Sequence, residues 1–128
     1  GLNSDLNFSK SDRNENVRRV AETAKLIVDS GLIVIVGIIS PFKSDRDWVR
    51  SIFNPNEFKE IYISTSLIEC EKRDVKGLYQ MARRGDIEDF TGITSPYEEP
   101  CNPELTFDTQ NSTIDECVKI TLKQFKFS

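Results

Sequence analysis

Four groups of residues in this sequence have types and spacings that suit the binding or transfer of an anionic group. The first gathers Phe8, Arg13, Asn16, Arg18 and Arg19 at the start of an amphipathic segment. Arg and Asn beside the free N–H groups of a helix amino terminus favour negative charge. A solvated face with ordinary ion pairs, such as Glu15 with Arg19 at i,i+4, is the competing reading, and spacing alone favours it. The second group is Glu71 to Arg84 (EKRDVKGLYQMARR), where Lys72, Arg73, Lys76, Arg83 and Arg84 flank Gly77. Cations on a hinged segment can close over a phosphate and neutralise charge in a transition state. Five acidic residues between Glu71 and Asp89 balance these five cations, so a salt-bridged surface competes here too. Phe90 and Tyr97 form the third group, able to stack on a planar base, although apolar anchors that pin a loop are commoner. Ser40 is the fourth. It closes an apolar run just before Pro41, as a site serine at a strand end would, or as a serine that merely starts a turn does.

Absences narrow the chemistry. The sequence has no His, which excludes imidazole bases, imidazole metal ligands and the Ser/His/Asp and Cys/His machinery. Cys70, Cys101 and Cys117 are odd in number and widely spaced, so they predict buried or incidental thiols rather than a disulfide framework or a CxxC site. None of the six glycines belongs to a phosphate-cradling GxxxxGK[ST], and no metal-ligating set is predicted. Asn111-Ser112-Thr113 matches a glycosylation sequon and is read as chance.

The elements that must position these groups are legible from periodicity. A chain of 128 residues with 38% hydrophobic and 30% charged residues predicts one globular domain. Asp12 to Ser30 places Val17, Val20, Ala21, Ala24, Ile27 and Val28 on one helical face, with Asp12 and Glu15 as a capping pair and Gly31 as the stop. Leu32 to Ile39 predicts a strand that is apolar on both faces. A helix over Arg46 to Phe53, capped by Ser44 or Asp45, then leads to a second strand over Phe58 to Ser64. Short helices are expected over Ser66 to Arg73 and Gly77 to Arg84, and a long polar loop over Gly85 to Pro103. A short third strand is expected over Leu105 to Asp108 and a closing helix over Ile114 to Phe125. The alternation predicts an α/β fold with a parallel sheet, whose ligands sit at the carboxyl ends of strands near Ile39 and Ser40. Net charge −4 and pI about 4.9 predict no nucleic acid and no membrane partner. The polar start and the shortness of the longest apolar run predict a cytoplasmic protein. The sequence begins at Gly1 and its only Met is Met81, from which a preceding segment is expected.

Leu2 to Arg19 (LNSDLNFSKSDRNENVRR), Ala21 to Phe42 (AETAKLIVDSGLIVIVGIISPF), Arg73 to Gly85 (RDVKGLYQMARRG) and Phe90 to Tyr97 (FTGITSPY) together resemble the adenylyl-sulfate kinase (APS kinase) family in order and spacing. The resemblance extends over essentially the whole chain. It implies a P-loop kinase-like parallel sheet flanked by helices, and phosphorylation by ATP of the 3′-hydroxyl of adenosine 5′-phosphosulfate (adenylyl sulfate) to give 3′-phosphoadenylyl sulfate. ATP is then the co-substrate and Mg2+ its metal. Phe8 and Phe90 match the two aromatics that sandwich the adenine of adenylyl sulfate. Arg13 and Asn16 match polar contacts to its sulfate-bearing and sugar portions, and Ile39 and Ser40 match strand-end contacts. Lys76 matches a lid lysine near the substrate, and Asp89 precedes the stacking Phe90. Ser112 falls where the family contacts the adenine of ATP, and Arg83 is a further lid residue on the ATP side. The position of Ser40 is the one described in the family as a phosphoserine intermediate, which makes it the catalytic candidate, while direct in-line transfer needs no covalent step.

The family pattern also contains a first strand, a Walker A loop of the form GxxGxGKS/T, a helix and a second strand ending in Asp-Gly-Asp, all outside this sequence. The resemblance thus implies one adenylyl-sulfate kinase domain over residues 1–128, amino-terminally incomplete. Without a central strand the inner edges of Leu32 to Ile39 and Phe58 to Ser64 are unpaired, so a longer polypeptide or another chain is expected to complete the sheet. The resemblance further implies a homodimer and leaves fusion to, or association with, a sulfurylase open. A catalytically incomplete nucleotide-binding module, one part of a heteromeric or truncated kinase, and a purely structural fragment are the rival readings.

Overall fold

Ser9 starts the first helix. Its Oγ accepts from the amide of Asp12 at 3.2 Å, which satisfies a donor that the helix itself leaves unpaired. The structure, a computed structural model, describes residues 1–125. Helix α1 runs over Lys10–Asp29, so Ser9 and not Asp12 is its cap, two residues before the expected start. Val17, Ala21 and Ala24 form its buried stripe, and Gly31 takes φ +88 to end it. The outer half of the expected apolar face, at Ile27, stays exposed.

Leu32 to Ile39 is extended but unpaired, which corrects the expected strand. Its alternation is nonetheless that of a strand. Val34, Val36 and Ile38 line one cavity with Val17 and Ala24 of α1, whereas Ile33, Ile35 and Ile39 face outward, Ile35 with 93% of its surface exposed. An extended segment becomes a ladder only where a neighbour meets its N–H and C=O groups, and none of the described residues lies beside it to do so.

Helix α2 (Lys43–Ser51) begins three residues before the expected helix, with Phe42 at its cap and no side-chain cap bond, so neither Ser44 nor Asp45 caps it. Strand β1 (Ile61–Ile63) is shorter than the expected Phe58 to Ser64. It pairs in parallel with β2 (Leu105–Phe107), in the register Ile61 with Leu105, Tyr62 with Thr106 and Ile63 with Phe107. The crossover that parallel pairing requires holds α3 (Leu67–Arg73), α4 (Leu78–Arg84) and the loop over residues 85–103. Helix α5 (Ile114–Phe125) closes the described chain with the expected boundaries. The architecture is α/β with a parallel sheet, as the alternation predicted. No helix among the described residues is long and apolar enough to cross a membrane.

One acid-base network locks the strands to α2. Arg50 Nη1 and Nη2 donate to the Glu104 carboxylate at 2.6 and 2.9 Å, and the same carboxylate accepts from the Glu60 amide at 2.7 Å. The Arg50 guanidinium beside it holds the Glu104 carboxyl at about 2, well below the usual 4.5. A depressed carboxylate adds stability that is complete above its ordinary value and is lost as pH falls toward the depressed one. The melting temperature should therefore fall as pH drops from about 4.5 toward about 2, and a Glu104→Gln variant should show a shallower fall. The difference is about 1 kcal/mol once solvent screening of the half-exposed Arg50 is allowed for. Parallel pH profiles for the parent and the variant would contradict this role for Glu104.

Candidate functional site

Arg13 joins two segments that are far apart in sequence. Its Nε donates to the carbonyl of Phe8 at 2.9 Å, Nη2 donates to the carbonyl of Asp89, and Nη1 donates to Thr91 Oγ1. One planar guanidinium thus holds the turn that carries Phe8 against the turn that carries Phe90. All three partners are neutral, and among the described residues no carboxylate is bonded to Arg13. Phe8 is 68% exposed. Phe90 is half-buried and packs edge-on against Tyr79, with ring centroids 5.1 Å apart.

The Phe90 turn is rigid for local reasons. The Phe90 amide donates to Thr94 Oγ1 at 2.8 Å, and its carbonyl accepts from the amides of Ile93, Thr94 and Ser95 at 3.0–3.1 Å. Asp89 lies in the left-handed region at φ +53, which turns the chain just before the ring. Gly92, at φ +85, could not gain a Cβ without backbone strain and contact with Leu67 Cδ1 at 3.4 Å.

The other cations at the helix start are structural. Arg19 donates to Asp5 Oδ1 at 2.6 Å and to Glu15 Oε1 at 2.8 Å, and Arg18 Nε donates to Glu15 Oε2 at 2.7 Å. The two guanidiniums hold the Glu15 carboxyl at about 2. The expected Glu15–Arg19 pair is present within α1, and the bonds from Arg19 to Asp5 tie the amino-terminal turn to the helix. Asn16 accepts from Asn3 Nδ2 at 2.6 Å, one turn along α1 from Arg13.

Ser40 closes the extended segment in the left-handed region at φ +39, directly before Pro41. Its carbonyl accepts from Arg46 Nη1 at 2.7 Å, and the Pro41 carbonyl accepts from the Glu98 amide at 2.9 Å. Ile39 beside it is exposed. The strand end and the loop that follows Phe90 are therefore in direct contact. Tyr97 serves as an anchor there, stacked on Tyr62 at 6.1 Å between centroids, and burial pushes its phenol up from the ordinary value.

The second cation cluster divides. Arg83 donates to Glu71 at 2.6 Å, and Arg73 donates to Glu69 at 3.0 Å, so the salt-bridged reading describes both. Arg73 also donates to Thr109 Oγ1 at 2.7 Å, tying α3 to the turn that contains Ser112. Asp74 accepts from the amides of Tyr79 and Gln80, both at 3.1 Å, and so supplies the side-chain capping bonds that Gly77, the cap residue of α4, cannot make. Lys76 sits exposed in the turn between them. Among the described residues no hydrogen bond or ion pair joins Lys76, Arg83 or Ser112 to the Arg13 cluster. Thr91, Tyr79, Arg46 and Glu98 were not anticipated from the sequence. Arg46 and Arg50 at i,i+4, facing two acids that precede strands, were the available signal.

A family model described as adenylylsulphate kinase matches residues 1–108. The chain belongs to the adenylyl-sulfate kinase family. The adenylyl-sulfate kinase of Staphylococcus epidermidis is 51% identical over 126 residues, which are 98% of this chain and 63% of that protein. The one from Prochlorococcus marinus is 56% identical over 119 residues, 93% of this chain and 59% of the relative. The chain thus spans about three fifths of the curated adenylyl-sulfate kinases it matches. The Mycobacterium tuberculosis APS kinase CysC, solved in complex with AMPPNP and APS, superposes with a TM-score of 0.92 at 42% identity, covering 98% of this chain and 73% of that one.

Among the described residues no group of three or more Cys, Asp or Glu side chains converges as a metal site.

Proposed function

We propose that this chain forms the acceptor half of an adenylyl-sulfate kinase. The oxygen of the 3′-hydroxyl of adenylyl sulfate attacks the γ-phosphorus of ATP, its bond to ADP breaks, and the hydroxyl proton is released. The observation that carries the reading is Arg13, whose guanidinium holds the Phe8 and Phe90 turns together with no carboxylate among the described residues bonded to it. Two aromatic faces flanking a fixed positive charge suit a ligand that is a planar base at one end and an anion at the other. Adenylyl sulfate has that shape, and the solved relative bound to APS supports it. Phe8, Phe90, Arg13, Asn16, Asp89 and Lys76 bind the acceptor. Ile39 and Ser40 border it at the strand end, and Arg83 and Ser112 serve the ATP side.

On this reading the phosphate-binding part of the ATP site and the Mg2+ ligands belong to the length that the relatives have beyond this chain, with Arg83 and Ser112 as the chain's own ATP-side residues. A further strand, on the same reading, lies between the Val34, Val36 and Ile38 segment and the β1 edge at Ile61, which line one cavity. The protein acts as a homodimer in the cytoplasm.

An assay for ADP release tests the activity. In the complete protein, release that depends on adenylyl sulfate is expected, and binding of adenylyl sulfate without any ADP release would leave a nucleotide-binding module instead. In-line transfer makes a second expectation. A Ser40→Ala variant should keep turnover within about threefold, because positioning carries most of the catalysis in phosphoryl transfer. A loss of several hundredfold with substrate affinity intact would contradict this expectation and place the Ser40 hydroxyl in the chemical step.

A further inference from the structure

The one buried charge among the described residues belongs to Arg46, which is 8% exposed. Its Nε stands 3.0 Å from Glu60 Oε1, an ion pair that lacks hydrogen-bond geometry. The two well-formed bonds of the guanidinium go elsewhere. Nη1 donates to the Ser40 carbonyl at 2.7 Å, and Nη2 donates to the Glu98 carbonyl at 2.6 Å. A cation buried only for stability would direct its fork at the carboxylate, where bidentate pairing is strongest. Arg46 instead uses its fork to span two main chains, 6 and 52 residues away in sequence.

Both main chains border the candidate site. Ser40 is held at φ +39, a conformation that an L-residue keeps only when its surroundings impose it. Glu98 lies in the same loop as Phe90, and its side chain accepts from the Lys43 amide at 2.6 Å. Two arginines thus hold that loop, Arg13 at Asp89 and Thr91 and Arg46 at Glu98, the latter beside the Glu98–Pro41 and Glu98–Lys43 bonds. The geometry points to Arg46 as a positioning residue that fixes the Ile39–Ser40 backbone and the Phe90-bearing loop in one register for adenylyl sulfate. This role rests on the acceptor-half reading given above. Arg46 touches no substrate in it and acts through Ser40 and Glu98.

Three variants of the protein test the role. Arg46→Lys keeps a charge for Glu60 but cannot reach both carbonyls. Its KM for adenylyl sulfate should rise about 10-fold, the size of one lost hydrogen bond to a charged group, with kcat within about twofold and the KM for ATP unchanged. Glu60→Gln removes the ion pair and leaves the fork, so it should lower the melting temperature while leaving that KM within about twofold. Arg46→Met with Glu60→Met removes both charges together, a replacement that buried pairs often tolerate in stability. It should raise the KM as Arg46→Lys does, and it carries the test where the lysine variant does not fold. An unchanged KM in folded Arg46→Lys or in the double variant would overturn the role. So would a rise in Glu60→Gln equal to that in Arg46→Lys.

Hydrogen exchange separates this inference from the functional reading, because it needs no substrate. The Glu98 amide, bonded to the Pro41 carbonyl, should exchange at least about 10-fold faster in Arg46→Lys and at the parent rate in Glu60→Gln. Unchanged exchange in Arg46→Lys would overturn the positioning role whatever the protein binds. A parent protein that ignores adenylyl sulfate while showing this exchange pattern would refute the functional reading alone.

Discussion

A Phe8→Ala variant is expected to bind adenylyl sulfate about 10- to 100-fold more weakly while melting where the parent melts. Stacking of a base on an aromatic ring is worth about 1–3 kcal/mol by alanine substitution, which converts to that range. The ring is 68% exposed, so little packing is lost when it is removed. Phe90→Ala should weaken binding by a similar factor but also lower the melting temperature, because its ring packs edge-on against Tyr79 at 5.1 Å. The contrast makes Phe8 the cleaner probe. Calorimetric titration with adenylyl sulfate and a thermal melt of each variant decide the matter. Unchanged affinity in Phe8→Ala would remove that ring from the site.

The largest effect is expected at Arg13. An Arg13→Ala variant loses three hydrogen bonds from a charged donor, and with them both the fixed charge and the tie between the aromatic-bearing turns. Loss of binding should exceed about 100-fold, since one such bond alone is worth about 1.5–3 kcal/mol. A second readout distinguishes the tie from the charge. With Arg13 present, the Phe8→Ala and Phe90→Ala losses should be non-additive, because each ring binds best when the other holds the base. With Arg13→Lys the charge remains and the tie is lost, so the two losses should become additive. Additive losses in the parent would contradict the tie.

Some of this site was legible in the sequence and some was not. Periodicity located α1, α4 and α5 because their apolar or cationic spacings are local properties. The cap of α1 was misplaced because Ser9 and Asp12 are both competent caps, and only the backbone at Ser9, outside the helix, selects between them. The strand over Leu32 to Ile39 was expected from composition, which reports burial on two faces but not whether a partner lies beside the segment. Arg13 was legible as a cation at a helix start, yet two of its three partners, Asp89 and Thr91, lie more than seventy residues away, beyond any local pattern. Arg46 was missed for the same reason. On α2 it reads as one charge among several, and only the fold closes Glu60, Ser40 and Glu98 around it.

The central claim is that Phe8 and Phe90 hold one adenine between them. The most direct measurement is the set of nuclear Overhauser contacts from the adenine H2 and H8 protons of bound adenylyl sulfate to the phenylalanine rings of the protein, assigned by comparison with Phe8→Ala and Phe90→Ala. Contacts to both rings are predicted, each set vanishing in its own variant. Bound adenylyl sulfate whose adenine protons contact neither ring would contradict the account.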